Sequence, residues 1–166
     1  MWRLHASLVL LLLAGCPRGT RLDDAFEPND DASQATPLTP GTPIEARANQ
    51  GNPDVFALEA PEARTLVFRM ESLGQDNCPA FTVNGPDGGL LYEDRHRFCS
   101  RGPDEAWKAP GVELLLLDVR GYQIGTYELR VPTARAGRYL LTILEQGRVD
   151  NTVPFSWDYR LTARVE

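Results

Sequence analysis

The chain lacks a long apolar run. Its longest, Ala6 to Leu13, is about half of the roughly 20 residues that a bilayer-spanning helix needs. Histidine is nearly absent, with only His5 and His96. General acid–base catalysis at neutral pH falls most often to histidine. The one candidate beyond the N-terminal region, His96, sits between Arg95 and Arg97 in a polar stretch that reads as an exposed loop. No Gly-x-Ser-x-Gly elbow, His-Glu-x-x-His pair or phosphate-binding glycine loop occurs. The chain is therefore not expected to be an enzyme. The remaining catalytic alternative is a small hydrolase built on facing carboxylates, with Glu93-Asp94 and Asp104-Glu105 as the acid pairs. Lysine occurs once, as Lys108, among 17 basic residues scattered through 23 acids, and the net charge is −6. A nucleic-acid binder shows a basic patch, and none is present, so nucleic acid is not an expected partner. No segment repeats apolar residues at helical spacing, so no amphipathic helix is predicted.

The N-terminus does carry a signal. Arg3 precedes the apolar run, and small residues follow it in Leu13-Ala14-Gly15-Cys16. A charged start, a short apolar core and small residues before a cleavage point make a secretory signal peptide. The cysteine after Ala14-Gly15 makes the stretch resemble the lipobox of bacterial lipoproteins, with plain secretion as the alternative. The resemblance implies cleavage before Cys16 and acylation of its thiol and new amine. It divides the chain into a signal peptide (1–15), a lipidated cysteine with a polar tether (16–24) and one domain (25–166). It also implies an address in the bacterial cell envelope, anchored by lipid on the outer membrane, at its periplasmic face or the cell surface.

Three cysteines are present. With Cys16 taken by lipid, Cys78 and Cys99 remain, and an exported protein meets an oxidising compartment. They are expected to form a disulfide. Zinc is the alternative, but it needs four ligands, and His96 is the one histidine near by.

From Ala25 onward the pattern has period two. Candidate strands are Ile44–Ala48, Val55–Ala60, Thr65–Glu71, Ala80–Asn84, Leu90–Asp94, Val112–Asp118, Thr126–Val131, Arg138–Glu145 and Phe155–Val165. In the last, Phe155, Trp157, Tyr159, Leu161, Ala163 and Val165 share one face, which marks a half-buried strand and makes Trp157 core. Leu114 to Leu117 is continuously apolar and suits a central strand covered on both faces. Turns such as Asn84-Gly85-Pro86-Asp87-Gly88-Gly89 recur at this spacing. The predicted fold class is all-β, an antiparallel β-sandwich of jelly-roll type with eight or nine strands. Arg95–Gly111 is polar and reads as a long loop. Trp107 lies in it, either covering the sheet edge or forming a binding face.

A second motif is Glu27-Pro28-Asn29-Asp30-Asp31-Ala32, followed by Ala35-Thr36-Pro37-Leu38, then Gly51-Asn52-Pro53-Asp54-Val55-Phe56, Ala136-Gly137-Arg138-Tyr139 and Tyr159-Arg160-Leu161. This order resembles the bacterial pre-peptidase C-terminal domain, a relative of collagenase collagen-binding domains. The resemblance implies a jelly-roll-like sandwich and a non-catalytic role beside other proteins. It also implies a calcium site, with Glu27, Asn29, Asp30 and Asp54 as the carried-over residues. Calcium takes six to eight oxygen ligands, carboxylates and carbonyls alike. This chain has Asn52 where the pattern has an aspartate, followed by Pro53, and has Ala25 where an acid often stands. Fewer carboxylates mean weaker calcium binding. The expected role is a lipid-anchored, non-catalytic binding or accessory module, with an envelope protein, an extracellular protein or a polysaccharide as partner. The alternative is a structural or assembly lipoprotein that binds another envelope protein.

Overall fold

The computed structural model describes residues 24–49, 51–74, 79–95, 104–120, 123–145 and 156–166. Those residues form eleven strands and no helix. They are Thr36–Pro37 (β1), Ile44–Asn49 (β2), Asp54–Ala60 (β3), Thr65–Ser72 (β4), Pro79–Asn84 (β5), Leu90–Arg95 (β6), Asp104–Lys108 (β7), Glu113–Arg120 (β8), Gln123–Pro132 (β9), Gly137–Glu145 (β10) and Ser156–Val165 (β11). One sheet runs β1-β3-β10-β5-β6-β7 and the other β2-β11-β4-β9-β8. All pairings are antiparallel except β1 with β3. The predicted β-sandwich is therefore the observed fold, with two more strands than the alternation picked out. Cys16, Cys78, Cys99 and His96 lie outside the described residues, and so do the predicted lipidation and disulfide.

Alternation builds the core. On β11, Trp157, Tyr159, Leu161 and Ala163 are buried, and Leu161 and Ala163 pair in register with Met70 and Phe68 of β4. Aromatic pairs join the two sheets: Phe56 of β3 meets Tyr159 of β11 edge-on at 6.5 Å, and Phe81 of β5 meets Tyr127 of β9 at 5.2 Å. With β3 over β11 and β5 over β9, the free edges β7 and β8 fall on the same side of the sandwich. β3 is buried on both faces because Ala35 and Leu140 cover its outward Val55 and Ala57.

The outer face of the second sheet is a lattice of arginines and carboxylates. Arg47 pairs with Asp158 at 2.6 Å, Arg160 with Glu45 at 2.7 Å, Arg69 with Glu71 at 3.0 Å and Arg130 with Glu166 at 2.6 Å; Arg164 lies 3.4 Å from Glu166 and 3.7 Å from Glu128. Such exposed pairs contribute about 0–1 kcal/mol each. Their further effect is cover: Val67, on this outer face between Arg130 and Arg164 in register, is fully buried.

Two expectations are corrected. The stretch Arg95–Gly111 is not one long loop, because residues 104–108 pair with β6 as β7, and Trp107 is a strand residue. Its polar sequence and the register shift between Glu93 and Asp94 hide the alternation. The apolar run at Leu114 to Leu117 is not a central strand either. Among the described residues β8 pairs only with β9 and ends its sheet. Leu114 and Leu116 pack on the core, while Leu115 and Leu117 are exposed.

Candidate functional site

The N-terminal acidic segment is tied down residue by residue. Asp24 accepts from the Phe26 amide at 2.8 Å and from the Arg47 amide at 2.6 Å, so one carboxylate closes a turn and caps the free edge of β2. Phe26 then packs edge-on against Phe56 at 6.5 Å. Glu27 accepts from Asn52 Nδ2 at 2.6 Å and from the Asn29 amide at 3.2 Å. Asn52 is the position where the resembled pattern carries an acid. Here its amide holds Glu27 where an aspartate would repel it. The Asn29 carbonyl accepts from the Val55 amide at 2.8 Å, which sets Asn29 beside Asp54 at the start of β3.

Asn29 and Asp54 are the unusual pair. Both are fully buried. Asp54 accepts from the Tyr159 hydroxyl at 2.5 Å through Oδ2, a bond that crosses between the sheets. Its Oδ1, and both side-chain polar atoms of Asn29, have no hydrogen-bond partner among the described residues. Buried polar atoms are almost always satisfied, so this pocket of oxygens points to an additional group. Burial pushes the Asp54 carboxyl up to about 7, aided by the charges of Asp24, Glu27 and Asp30 and opposed by the Tyr159 bond. Burial also raises Glu27 above its ordinary range, and burial followed by the Asp54 charge raises Tyr159 well above its own.

These residues fit calcium better than a metal that prefers a dense acid or histidine cluster. Among the described residues no three His, Cys, Asp or Glu side chains gather to hold a metal. A site here would need the Asn29 amide oxygen, Asp54 Oδ1 and backbone carbonyls, which are oxygens that calcium accepts. Asp30 is exposed, and Glu27 is already engaged by Asn52 and the Asn29 amide. Of the four carried-over residues, the fold buries Asn29 and Asp54 together and leaves Glu27 and Asp30 on the approach. Sequence reasoning missed Tyr159 and Asn52, whose roles depend on contacts across 105 and 25 residues. Replacing Tyr159 with phenylalanine leaves the Asp54 carboxyl with no hydrogen-bond partner among the described residues. It is expected to cost about 1–3 kcal/mol, read as a fall in melting temperature in chelator.

The other candidates separate. Trp107 is 45% exposed on β7, opposite Glu93. Asp94, next to Glu93, points the other way into the interior and accepts from the Phe81 amide at 2.5 Å. Adjacent strand residues face opposite sides, so Glu93 and Asp94 do not form a facing acid pair. A cavity of about 300 Å³ is lined by Asp24, Glu45, Ala46, Arg47, Leu73 and Asp158 at the β2 end of the sandwich.

No family model matches the chain, and no curated protein matches it. Solved structures do overlay on it. The pre-peptidase C-terminal domain of collagenase from Bacillus anthracis is 11% identical, with a TM-score of 0.48, over 78% of this chain and 94% of that one. Aeromonas hydrophila PliG, a periplasmic inhibitor of g-type lysozyme, is 14% identical, with a TM-score of 0.46, over 80% and 96%. CorA, a surface-associated copper-binding protein of Methylomicrobium album BG8, is 8% identical, with a TM-score of 0.49, over 80% and 98%.

Proposed function

We propose that the chain is a cell-envelope lipoprotein. It displays one non-catalytic β-sandwich binding module on a membrane surface, and a calcium ion stabilises the module's N-terminal segment. Three things support this reading. The Leu13-Ala14-Gly15-Cys16 motif supplies an anchor. The domain is tied down from Asp24, eight positions after Cys16. Asn29 and Asp54 present buried oxygens without partners, and this last observation carries the calcium part. When bound, the ion supplies positive charge to those oxygens, while Glu27, Asn52 and Phe26 hold the segment in place. The second reading, an assembly lipoprotein that binds another envelope protein, is favoured by the exposed apolar row Leu115, Leu117 and Val119.

Thermal melting tests the calcium site. Extracellular modules hold calcium with dissociation constants of about 0.1–1 mM. At roughly 10 mM calcium, mass action then adds about 1–3 kcal/mol of stability, which raises the melting temperature by about 4–10 °C. The Asp54→Asn variant is expected to lose this rise. An unchanged wild-type melting temperature removes calcium from the reading. Capture of envelope partners with and without chelator then tests the binding role.

A further inference from the structure

We propose that the free edge of β8 takes an extended, cationic segment of a partner protein as an added strand. This rests on the binding-module reading and names the surface that binds. Among the described residues the sandwich is closed on one side and open on the other. At the closed side β1 is two residues long and ends in Pro37, and Asp24 caps the Arg47 amide on β2. At the open side β8 runs for eight residues, Glu-Leu-Leu-Leu-Leu-Asp-Val-Arg, and among the described residues pairs only with β9. Natural edge strands are blunted by lysine and other charges, proline, bulges, shortness or cover. β8 has no lysine or proline and is not short, and its pairing with β9 is regular from Glu113 to Leu116, slipping only beyond Leu116 and on either side of Asp118. Leu115, Leu117 and Val119 are 39%, 49% and 53% exposed, and Trp107 stands on the neighbouring edge. The apolar run reads as doubly covered, yet among the described residues one of its faces lies bare beside a free edge. A strand added there forms main-chain hydrogen bonds, and its alternate side chains meet the exposed row.

Charge selects the occupant. The arginines paired on the outer face of this sheet already have their carboxylates. Glu113 lies opposite Arg130, but the Arg130 guanidinium is committed to Glu128 and Glu166. Glu113 is exposed and forms no ion pair among the described residues. A lysine or arginine on the incoming strand opposite Glu113 gains a cross-strand ion pair, with aliphatic side chains beside Leu115 and Leu117. The net charge of −6 repels a second copy of the chain and attracts a cationic partner.

The test uses the full lipid-anchored chain in detergent and a blocked lysine–valine peptide, about ten residues long to span β8, whose one face carries a lysine opposite Glu113 and valines beside Leu115 and Leu117, with serine at the alternate positions. A glutamate–valine peptide and a lysine–serine peptide are the controls. The lysine–valine peptide is expected to bind and to slow hydrogen exchange at the β8 amides. Both control peptides bind at least about tenfold more weakly. Leu117→Lys and Glu113→Lys each weaken binding by about tenfold, with melting temperatures unchanged because both positions are exposed. Equal binding of the glutamate–valine peptide, protection that maps away from β8, or affinity unmoved by both variants overturns the proposal. So does a β8-dependent dimer in sedimentation, which makes a second copy the occupant, or displacement of the peptide by a polysaccharide alone. Failure of all three peptides while calcium still raises the melting temperature and partners are still captured overturns this surface and leaves the module reading in place.

Discussion

Replacing Phe56 with alanine is expected to lower the melting temperature by about 10–20 °C, from the ~3–5 kcal/mol cost of emptying a buried phenylalanine site. Phe56 is fully buried and touches two rings edge-on, Phe26 from the acidic segment and Tyr159 from the opposite sheet. Each aromatic pair adds about 0.5–1.5 kcal/mol beyond area burial. The cavity therefore opens where the N-terminal segment, β3 and β11 meet. Phe81→Ala is the control, since Phe81 is also buried but packs edge-on against Tyr127, away from the acidic segment. Both variants lose stability in denaturant or thermal unfolding. Only Phe56→Ala is expected to lose the calcium response as well, because Phe26 no longer has its ring to pack on. Equal calcium responses in the two variants would show that the acidic segment is held without Phe56.

Sequence alone carried the parts of this fold that alternate cleanly. β11 was legible because Trp157, Tyr159, Leu161 and Ala163 repeat at period two on a strand flanked by neighbours on both sides. β7 was not, because Asp104 to Lys108 is polar and its pairing slips at Glu93. β8 misled for a different reason. Continuous apolar residues state that both faces avoid water, but not whether the chain itself supplies the second cover. Among the described residues it does not, and the failed expectation locates the surface proposed above as a docking edge. The candidate site was half legible. The acids and Asn29 stand in a local motif, whereas Tyr159 and Asn52 join it through tertiary contacts that no local spacing encodes. Asn52 is instructive, since as a sequence departure it reads as a lost ligand. In the fold it is the donor that settles Glu27, which leaves the buried oxygens of Asn29 and Asp54 as the centre of the site.

Replacing Cys16 with serine is expected to move the protein from the membrane fraction to the soluble fraction almost completely. The anchor proposed at Cys16 is acyl chains, each contributing roughly 0.8 kcal/mol per buried methylene, and one chain alone holds a protein only marginally. On the proposed reading, serine removes the thiol that accepts the lipid, and the processing that depends on it. If the signal peptide then stays uncleaved, its apolar stretch from Ala6 to Leu13 is too short to span a bilayer, which needs roughly 20 residues. Among the described residues no helix is long and apolar enough to take over. The domain itself is expected to keep its melting temperature and its calcium response, because among the described residues the first side chain tied into the fold is Asp24, eight positions after Cys16. Fractionation after a high-salt wash, with melting of the released protein, separates the two properties. Retention of the serine variant in the washed membrane pellet would assign the anchoring to the folded domain, with the leucine edge of β8 as the surface to examine next.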